Sequence, residues 1–596
     1  MSDTGGWVQA LPLAELQARG TAIIQADRPV VLFWHADAVF AMDNRCPHMG
    51  FPLSRGSVRD GMVVCHWHHA HFDLRSGCTF APFADDATAY ETRVVDGAVQ
   101  VRSTPRSDPR AYWRRRLEEG MDHALDLVIA KAVGALTAQG VASRELAGWA
   151  GRHAVGLRDT FSPGLVILTA MAHVAERVPG RTATLALAQG VARAAADASG
   201  RPPHRYLAPL ERETLPPDDG ERWLQRWVAV RDRDGAERTL ATLLAVGTPV
   251  DRLAAAMGAA LADRPYADAG HALDFSNKAL ELAVLMGTPD AAAAVLPTLV
   301  PLWTEARGAE ESGSWRTPLD LIALLDGARR ELPAAVRRGR GARWGGTVAD
   351  LAEAVLGSDP ETILRALVEA VESGATPRQA AMAVAQAAVL RVLQFGPSNE
   401  FSDWDTALHS FTYAHAALTM LERADAPRLL PAALAGALSV FQNRFLNVPP
   451  ARPPRPQDLE GLPGAAGDLT QALLAAMDGH GAGELAVRLV CRYLQRELSP
   501  EPLLAALAEA VVREDAAFHT FQMLEAGIRL WERWQGAPAG HLALAAVARY
   551  AAAHAPTQRA FLQTVSVSER LARGESLHDA EVEAATLTPA QIAPIR

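Results

Sequence analysis

The 596-residue sequence predicts two unlike parts: a small β domain over residues 1–104 and a large all-α domain of repeated helical hairpins over residues 105–596. Three observations carry this reading. Before residue 103 the apolar residues come in short runs between turn residues. VVLFW (Val30 to Trp34), MVVC (Met62 to Cys65) and AVQV (Ala98 to Val101) read as strands. STPRSDPR (Ser103 to Arg110) is a polar, Pro-bearing linker. After it Ala, Leu and Arg dominate, and apolar residues recur at helical spacing to the C-terminus. MDHALDLVIAKAVGAL (Met121 to Leu136) reads as one such helix. Three stretches interrupt the helical pattern and subdivide the second domain: 201–222, 337–347 and the Pro-rich 447–468.

Four residues of the β domain carry the chemistry. Cys46 and His48 form a Cys-x-His box, and Cys65 and His68 a Cys-x-x-His box. Two thiolates on one iron and two imidazoles on the other are the ligand set of a Rieske [2Fe–2S] cluster, with each box giving one ligand to each iron. Replacing two thiolates by neutral imidazoles removes negative charge and raises the potential above that of an all-Cys cluster. The same residue types would also suffice for zinc. Against zinc, the gap between the boxes is broken by Gly50, Pro52, Gly56 and Gly61, where a zinc finger usually carries a helix.

CPHMGFPLSRG (Cys46 to Gly56) and CHWHHAHFDLRSG (Cys65 to Gly77) resemble the Rieske ferredoxins and the Rieske domains of ring-hydroxylating oxygenases. The resemblance covers about residues 5–104. It implies a small antiparallel β domain with the cluster at an exposed tip. Respiratory Rieske proteins carry an extra cysteine in each cluster loop. Here Phe51 stands at the first of those positions, and no cysteine follows Cys65 within its loop. The resemblance therefore implies the ferredoxin or oxygenase type.

Of the four cysteines, Cys78 and Cys491 remain and read as free, so a reducing compartment fits. The N-terminal MSDTGGWVQALPLAEL has no signal-peptide pattern, and no uninterrupted apolar run reaches 18 residues. The expectation is a cytoplasmic protein with no membrane partner. A net charge of −10 argues against nucleic acid as a partner. The arginine-rich 329–343 reads as a Gly-punctuated solvated loop, with docking of an acidic redox partner as the other reading. No Gly-x-Gly-x-x-Gly follows a strand and no Walker-type loop is present, so the electron donor is expected to be external, a ferredoxin or flavin reductase. A homo-oligomer is left open.

The α domain contains a faint repeat. HALDFSNKALEL from His271, HSFTYAHAALTM from His409 and HTFQMLEAGIRL from His519 align without gaps. Positions i, i+4, i+8 and i+11 share a helix face, and everything on that face except the His is core-like. The stripes are His271–Phe275–Ala279–Leu282, His409–Tyr413–Ala417–Met420 and His519–Met523–Gly527–Leu530. A second helix follows each, at Ala291 to Trp303, Leu429 to Phe441 and Leu542 to His554. Three inward histidines invite a second metal, a non-haem iron, because neutral imidazole is a common ligand. Such an iron also wants a carboxylate, and Glu281, Glu525 and Asp274 lie near the stripes. His271, His409 and His519 are the candidate catalytic residues, with His415 and Tyr413 as weaker additions. The bland alternative is that each His hydrogen-bonds a neighbouring hairpin and Tyr413 packs.

Asp405, His409 and His415 are the nearest match to the acidic-His-His iron motif of ring-hydroxylating oxygenases. Their first gap is one residue too long, and no sheet surrounds them, so that active site is not carried over. The hairpins, with their inward His, aromatic and small residues, resemble the questin oxidase family. That all-α family is associated with oxidative ring opening of aromatic polyketides. Two functions follow as expectations. One is an oxidoreductase whose cluster feeds electrons to oxygen-dependent, monooxygenase-like oxidation of a small organic substrate in the helical domain. The other is a non-catalytic electron carrier or redox sensor with a helical partner-binding scaffold.

Overall fold

The computed structural model describes residues 6–577, except 27, 103–108, 204, 397–398, 425–426, 448, 536 and 576. The expected linker falls mostly outside the described residues. Ten short strands precede residue 103: β1 Trp7–Pro12, β2 Thr21–Gln25, β3 Pro29–His35, β4 Ala38–Asp43, β5 Ser57–Arg59, β6 Met62–Val64, β7 His71–Asp73, β8 Ala89–Tyr90, β9 Thr92–Val95 and β10 Ala98–Arg102. They form three antiparallel sheets, ordered β1-β10-β9, β2-β3-β4-β8 and β5-β6-β7. Three hairpins turn in two residues with positive φ at both: Ala36–Asp37, Asp60–Gly61 and Asp96–Gly97. This is the turn whose twist matches paired strands, and Asp-Gly is its commonest sequence.

Strand β3 is buried on both faces, because it serves two cores. Val31 and Phe33 join Met42, Val63 and Phe72 beneath the cysteines Cys46 and Cys65. Val30 and Leu32 join Leu16, Val99 and Val101 on the other side. The first of these cores seats both cysteine boxes.

The compact unit that carries the strands extends past the expected boundary at residue 104. It takes in residues 1–141 and returns at residue 561. The expected single helix over Met121 to Leu136 is two helices, α2 (Pro109–Asp122) and α3 (Asp126–Ala138), broken where Ala124 takes a left-handed φ of 48°. No glycine or proline marks this break, so helical spacing reads straight across it. The C-terminal segment is tied in by Arg45, whose guanidinium donates to the carbonyls of Leu571 (2.8 Å) and Glu575.

The second unit, residues 142–560, is helical, and no strand occurs after Arg102 among the described residues. Helix His271–Met286, helix Phe401–Ala424 and helix Phe518–Arg533 carry the three repeats, and the middle one packs against the other two. The stripes face inward: Phe275, Ala279 and Leu282, then Tyr413, Ala417 and Met420, then Met523 and Leu530 are all buried. At the small position of the third repeat, a Cβ on Gly527 would lie 2.2 Å from Val547 of the following helix, so only glycine allows that approach. The repeat is imperfect. His271 and His519 stand at helix starts, but His409 lies in the middle of a 24-residue helix. The partner helix after the first repeat is split into Ala291–Val295 and Val300–Glu305, with Pro297 between the halves. The segment Pro427–Leu446 is long and apolar enough to cross a membrane, with mean hydropathy 1.2, yet 72% of it is buried inside the structure. The arginine-rich stretch is also not simply a loop. Helix Leu321–Gly339 runs through all but its last four residues, and Arg329 pairs with Asp263 (2.5 Å) and Arg338 with Glu372 (2.6 Å).

Gly77 closes the second cysteine motif with a φ of +76°, and a Cβ there would fall 1.8 Å from the carbonyl oxygen of Ala87. Gly77→Ala therefore adds a left-handed alanine, costing about 1–2 kcal/mol, to a backbone clash. The expected result is a β unit that loads less cluster, read as visible absorbance per protein, with helical circular dichroism unchanged.

Candidate metal centres

The two cysteine boxes are built by the same backbone device. The Cys46 N–H donates to Phe51 O (2.7 Å), and the Gly50 N–H returns to Cys46 O (2.8 Å). The Cys65 N–H donates to Ala70 O (2.9 Å), and the His69 N–H returns to Cys65 O (2.9 Å). Both returning residues are left-handed, Gly50 at φ 87° and His69 at φ 59°. Each loop thus turns the chain back within five residues and leaves the intervening N–H groups free to point at sulfur. Those of His48 and Met49 are directed at Cys46, and those of Trp67 and His68 at Cys65.

The donor set fits a two-thiolate, two-imidazole cluster. The cysteines are buried and close enough for one thiol to donate to the other. That bond raises the Cys46 thiol and draws Cys65 down to about 6. The His48 and His68 rings meet edge to face at 4.7 Å. His48 Nδ1 is buried without a hydrogen-bond partner, as a ligand nitrogen must be when its metal is not counted. The two imidazoles differ in exposure. His48 is half-buried, under Phe83 at 5.0 Å, whereas His68 is exposed beside Trp67, which is 37% exposed.

Sequence reasoning missed the groups behind the first loop. Lys131 on α3 donates to Pro47 O (2.5 Å), His48 O (3.0 Å) and Asp85 Oδ2 (3.0 Å). Arg116 on α2 donates to Asp85 Oδ1 (3.2 Å) and to the carbonyls of Pro82 (3.0 Å) and Ala84 (2.9 Å). All three charged residues are at most 8% exposed. The one signal available was composition: of the 58 lysines and arginines only Lys131 and Lys278 are lysine.

In the helical unit, His271, His409 and His519 come together from three helices. One ring nitrogen from each lies within 4.8 Å of the others. His409 Nε2 and His519 Nε2 are 2.9 Å apart, while His271 Nε2 and His519 Nδ1 are buried without partners. Burial lowers His409 to about 4 and His519 to about 3, so both are neutral at pH 7, the form that binds metal. Asp268 Oδ2 is 3.4 Å from His271 Nδ1, and that contact lowers the Asp268 carboxyl. A carboxylate on one ring nitrogen leaves the other as the outward donor. Asp268 and Ala269 precede His271 in left-handed backbone, at φ 51° and 53°, a conformation that clusters at functional sites.

The other expected residues do not join this trio. His415 faces Arg533 (3.3 Å to Nε2), and Tyr413 is buried against Tyr266, with ring centroids 5.0 Å apart. Asp405 accepts from the Tyr550 hydroxyl (3.3 Å). Asp274 is taken by the Gln522 amide. Glu281 and Glu525 belong to a charge cluster. Lys278 Nζ sits 2.9 Å from Glu281 and 2.7 Å from Glu525, Arg529 is 2.6 Å from Glu281, and His173 is 2.9 Å from Glu525. His173, Glu281 and Glu525 could by spacing hold a metal. The ammonium and guanidinium already fill that role: burial pushes both carboxyls up, but the two cations outweigh it and hold them well below the usual range.

The family model for the Rieske [2Fe-2S] domain matches residues 6–91. The anthranilate 1,2-dioxygenase ferredoxin subunit of Burkholderia cepacia is 37% identical over 81 residues, 13% of this chain and 75% of that protein. The aminopyrrolnitrin oxygenase PrnD of Pseudomonas fluorescens is 30% identical over 95 residues, 16% of this chain and 26% of that protein. Among solved structures, the ferredoxin of carbazole 1,9a-dioxygenase from Nocardioides aromaticivorans IC177 matches at 24% identity, covering 17% of this chain and all of that one, with a TM-score of 0.16.

Two outcomes follow. Reduced protein should give the low-average-g electron paramagnetic resonance signal of a two-His, two-Cys cluster, and His68→Cys should move it toward the all-Cys type or abolish it. Lys278→Met removes the buried cation shared by Glu281 and Glu525, leaving them Arg529 and His173, and should cost about 3–5 kcal/mol in denaturant unfolding, with metal content per folded chain unchanged.

Proposed function

Because this chain belongs to the Rieske [2Fe–2S] family through its first hundred residues, we propose that it is an oxidoreductase in which electrons from an external donor reach oxygen-dependent oxidation of a small organic substrate in the helical unit. The donor would be a ferredoxin or a flavin reductase. Cys46, Cys65, His48 and His68 would hold the cluster, which supplies one-electron transfer. His68 is the ligand open to solvent, and it stands beside exposed Trp67. It is therefore the side on which a donor would exchange electrons.

The observation that carries the second half of the proposal is the convergence of His271, His409 and His519 with unpartnered ring nitrogens. Imidazole nitrogens suit iron, copper or zinc, and a redox function selects a metal such as iron. Phe275 and Phe518 line the His271 ring at 5.3 and 6.0 Å, an apolar wall suited to an organic substrate. The resemblance to questin oxidases points to an aromatic polyketide as the substrate class.

The second reading, an electron carrier, is favoured by the likeness to dioxygenase ferredoxin subunits. A metal count separates the two. The oxidoreductase should hold two cluster irons and a third metal, and His409→Ala should lose only the third, together with reductant-dependent oxygen uptake. Two irons in the unaltered chain, with His409→Ala lowering only the melting temperature, would assign the histidines to the core and leave the carrier.

A further inference from the structure

A chain that is almost entirely arginine among its basic residues has kept lysine at two positions, and both are buried: Lys131 is 8% exposed and Lys278 is 1% exposed. An ammonium is a compact point charge with three divergent donors, whereas a guanidinium is a planar fork. At Lys131 all three donors are used at one point. Two go to consecutive backbone carbonyls of the first cluster loop, Pro47 and His48, and one to the Asp85 carboxylate. A planar fork cannot address two successive carbonyls and a carboxylate from one atom. The position therefore demands lysine.

Lys131 comes from α3, well beyond residue 91, where the match to the Rieske model ends. Asp85 in turn is gripped by Arg116 from α2, which also donates to Pro82 O and Ala84 O beside Phe83, the ring covering His48. The two helices thus place two cations around one anion, Asp85 of the β7–β8 connection, behind the ligand loop. The fourth member, Glu119, accepts from Arg116 at 2.5 Å but is 44% exposed at its side chain, so water screens it. The buried balance is one net positive charge.

We infer that Lys131 and Asp85 are positioning and tuning residues of the cluster, the lysine holding the Cys46–His48 loop and raising the reduction potential, and the aspartate opposing it. The physical reason is Coulombic. Reduction adds one electron to the group held by these loops. A fixed cation nearby favours the reduced form, a fixed anion disfavours it, and burial keeps both effects from being screened. Net charge and outer hydrogen bonding are the levers a protein has over such a potential. The cation of this pair comes from a helix beyond the matched stretch, while the anion lies within it.

The test uses the full-length protein with its cluster, titrated potentiometrically while the reduced electron paramagnetic resonance signal is followed. Lys131→Met should shift the midpoint to more negative values, and Asp85→Asn to more positive values, with the g-values of the two-His, two-Cys ligand set retained. Opposite shifts are the signature of charge. Loosening of the loop alone would move both variants the same way. Shifts of the same sign, or no shift in variants that carry full cluster, overturn the inference. If Lys131→Met fails to load cluster, Asp85→Asn decides by itself: a positive shift supports tuning and an unchanged midpoint rejects it. If neither loads, the pair is a structural clamp and the tuning role is rejected.

Discussion

Both halves of a two-loop metal site must be held open toward each other without collapsing, and here backbone hydrogen bonds within each loop hold them. Each cysteine box spends its own carbonyl and N–H on closing a five-residue turn, Cys46 with Gly50 and Phe51, Cys65 with His69 and Ala70. That leaves the N–H groups inside each turn with no backbone partner except by pointing inward, at sulfur. The sulfurs then sit on a packed floor of Val31, Phe33, Val63 and Phe72. Strand β3 contributes to that floor from one face while its other face anchors a second core. Loop geometry, sulfur environment and core packing are one constraint seen at three scales.

Buried charge is treated alike in the two units. Behind the cluster loop, three charged side chains are buried and mutually satisfied: every Lys131 donor has an acceptor, and Asp85 receives from two cations. In the helical unit the Lys278, Glu281, Glu525 and Arg529 cluster follows the same rule. Buried ions are tolerated when paired and hydrogen-bonded, and removing one partner is what becomes costly. The three histidines obey the opposite rule. Burial keeps His409 and His519 neutral, and two ring nitrogens of the trio, His271 Nε2 and His519 Nδ1, are buried without partners. Unpaired polar atoms in a buried place are rare in folded proteins. Among the unpartnered buried atoms of the helical unit, these two belong to the place where three imidazoles converge.

Legible in the chain alone were the two-part architecture, the kind of cluster and the inward faces of the three repeat helices. Each of these rests on local information. A two-residue period with Asp-Gly turns specifies hairpins, a 3.6-residue period specifies a buried helical stripe, and the Cys-x-His and Cys-x-x-His boxes are contiguous in the chain. Even the failures were local: Ala124 breaks a helix without a glycine or proline to announce it. What tertiary structure decided was which distant residues meet. Periodicity placed His271, Glu281 and Asp274 on or near one face, but only packing gave His271 the company of His409 and His519 and gave Glu281 a lysine and an arginine. Asp268 became relevant because left-handed backbone swings it to His271, and Lys131 because α3 folds back 83 residues onto His48. Periodicity reports the side of an element on which a residue lies. It carries no information on what lies opposite, because that is fixed by the packing of whole elements and not by any stretch of chain short enough to read.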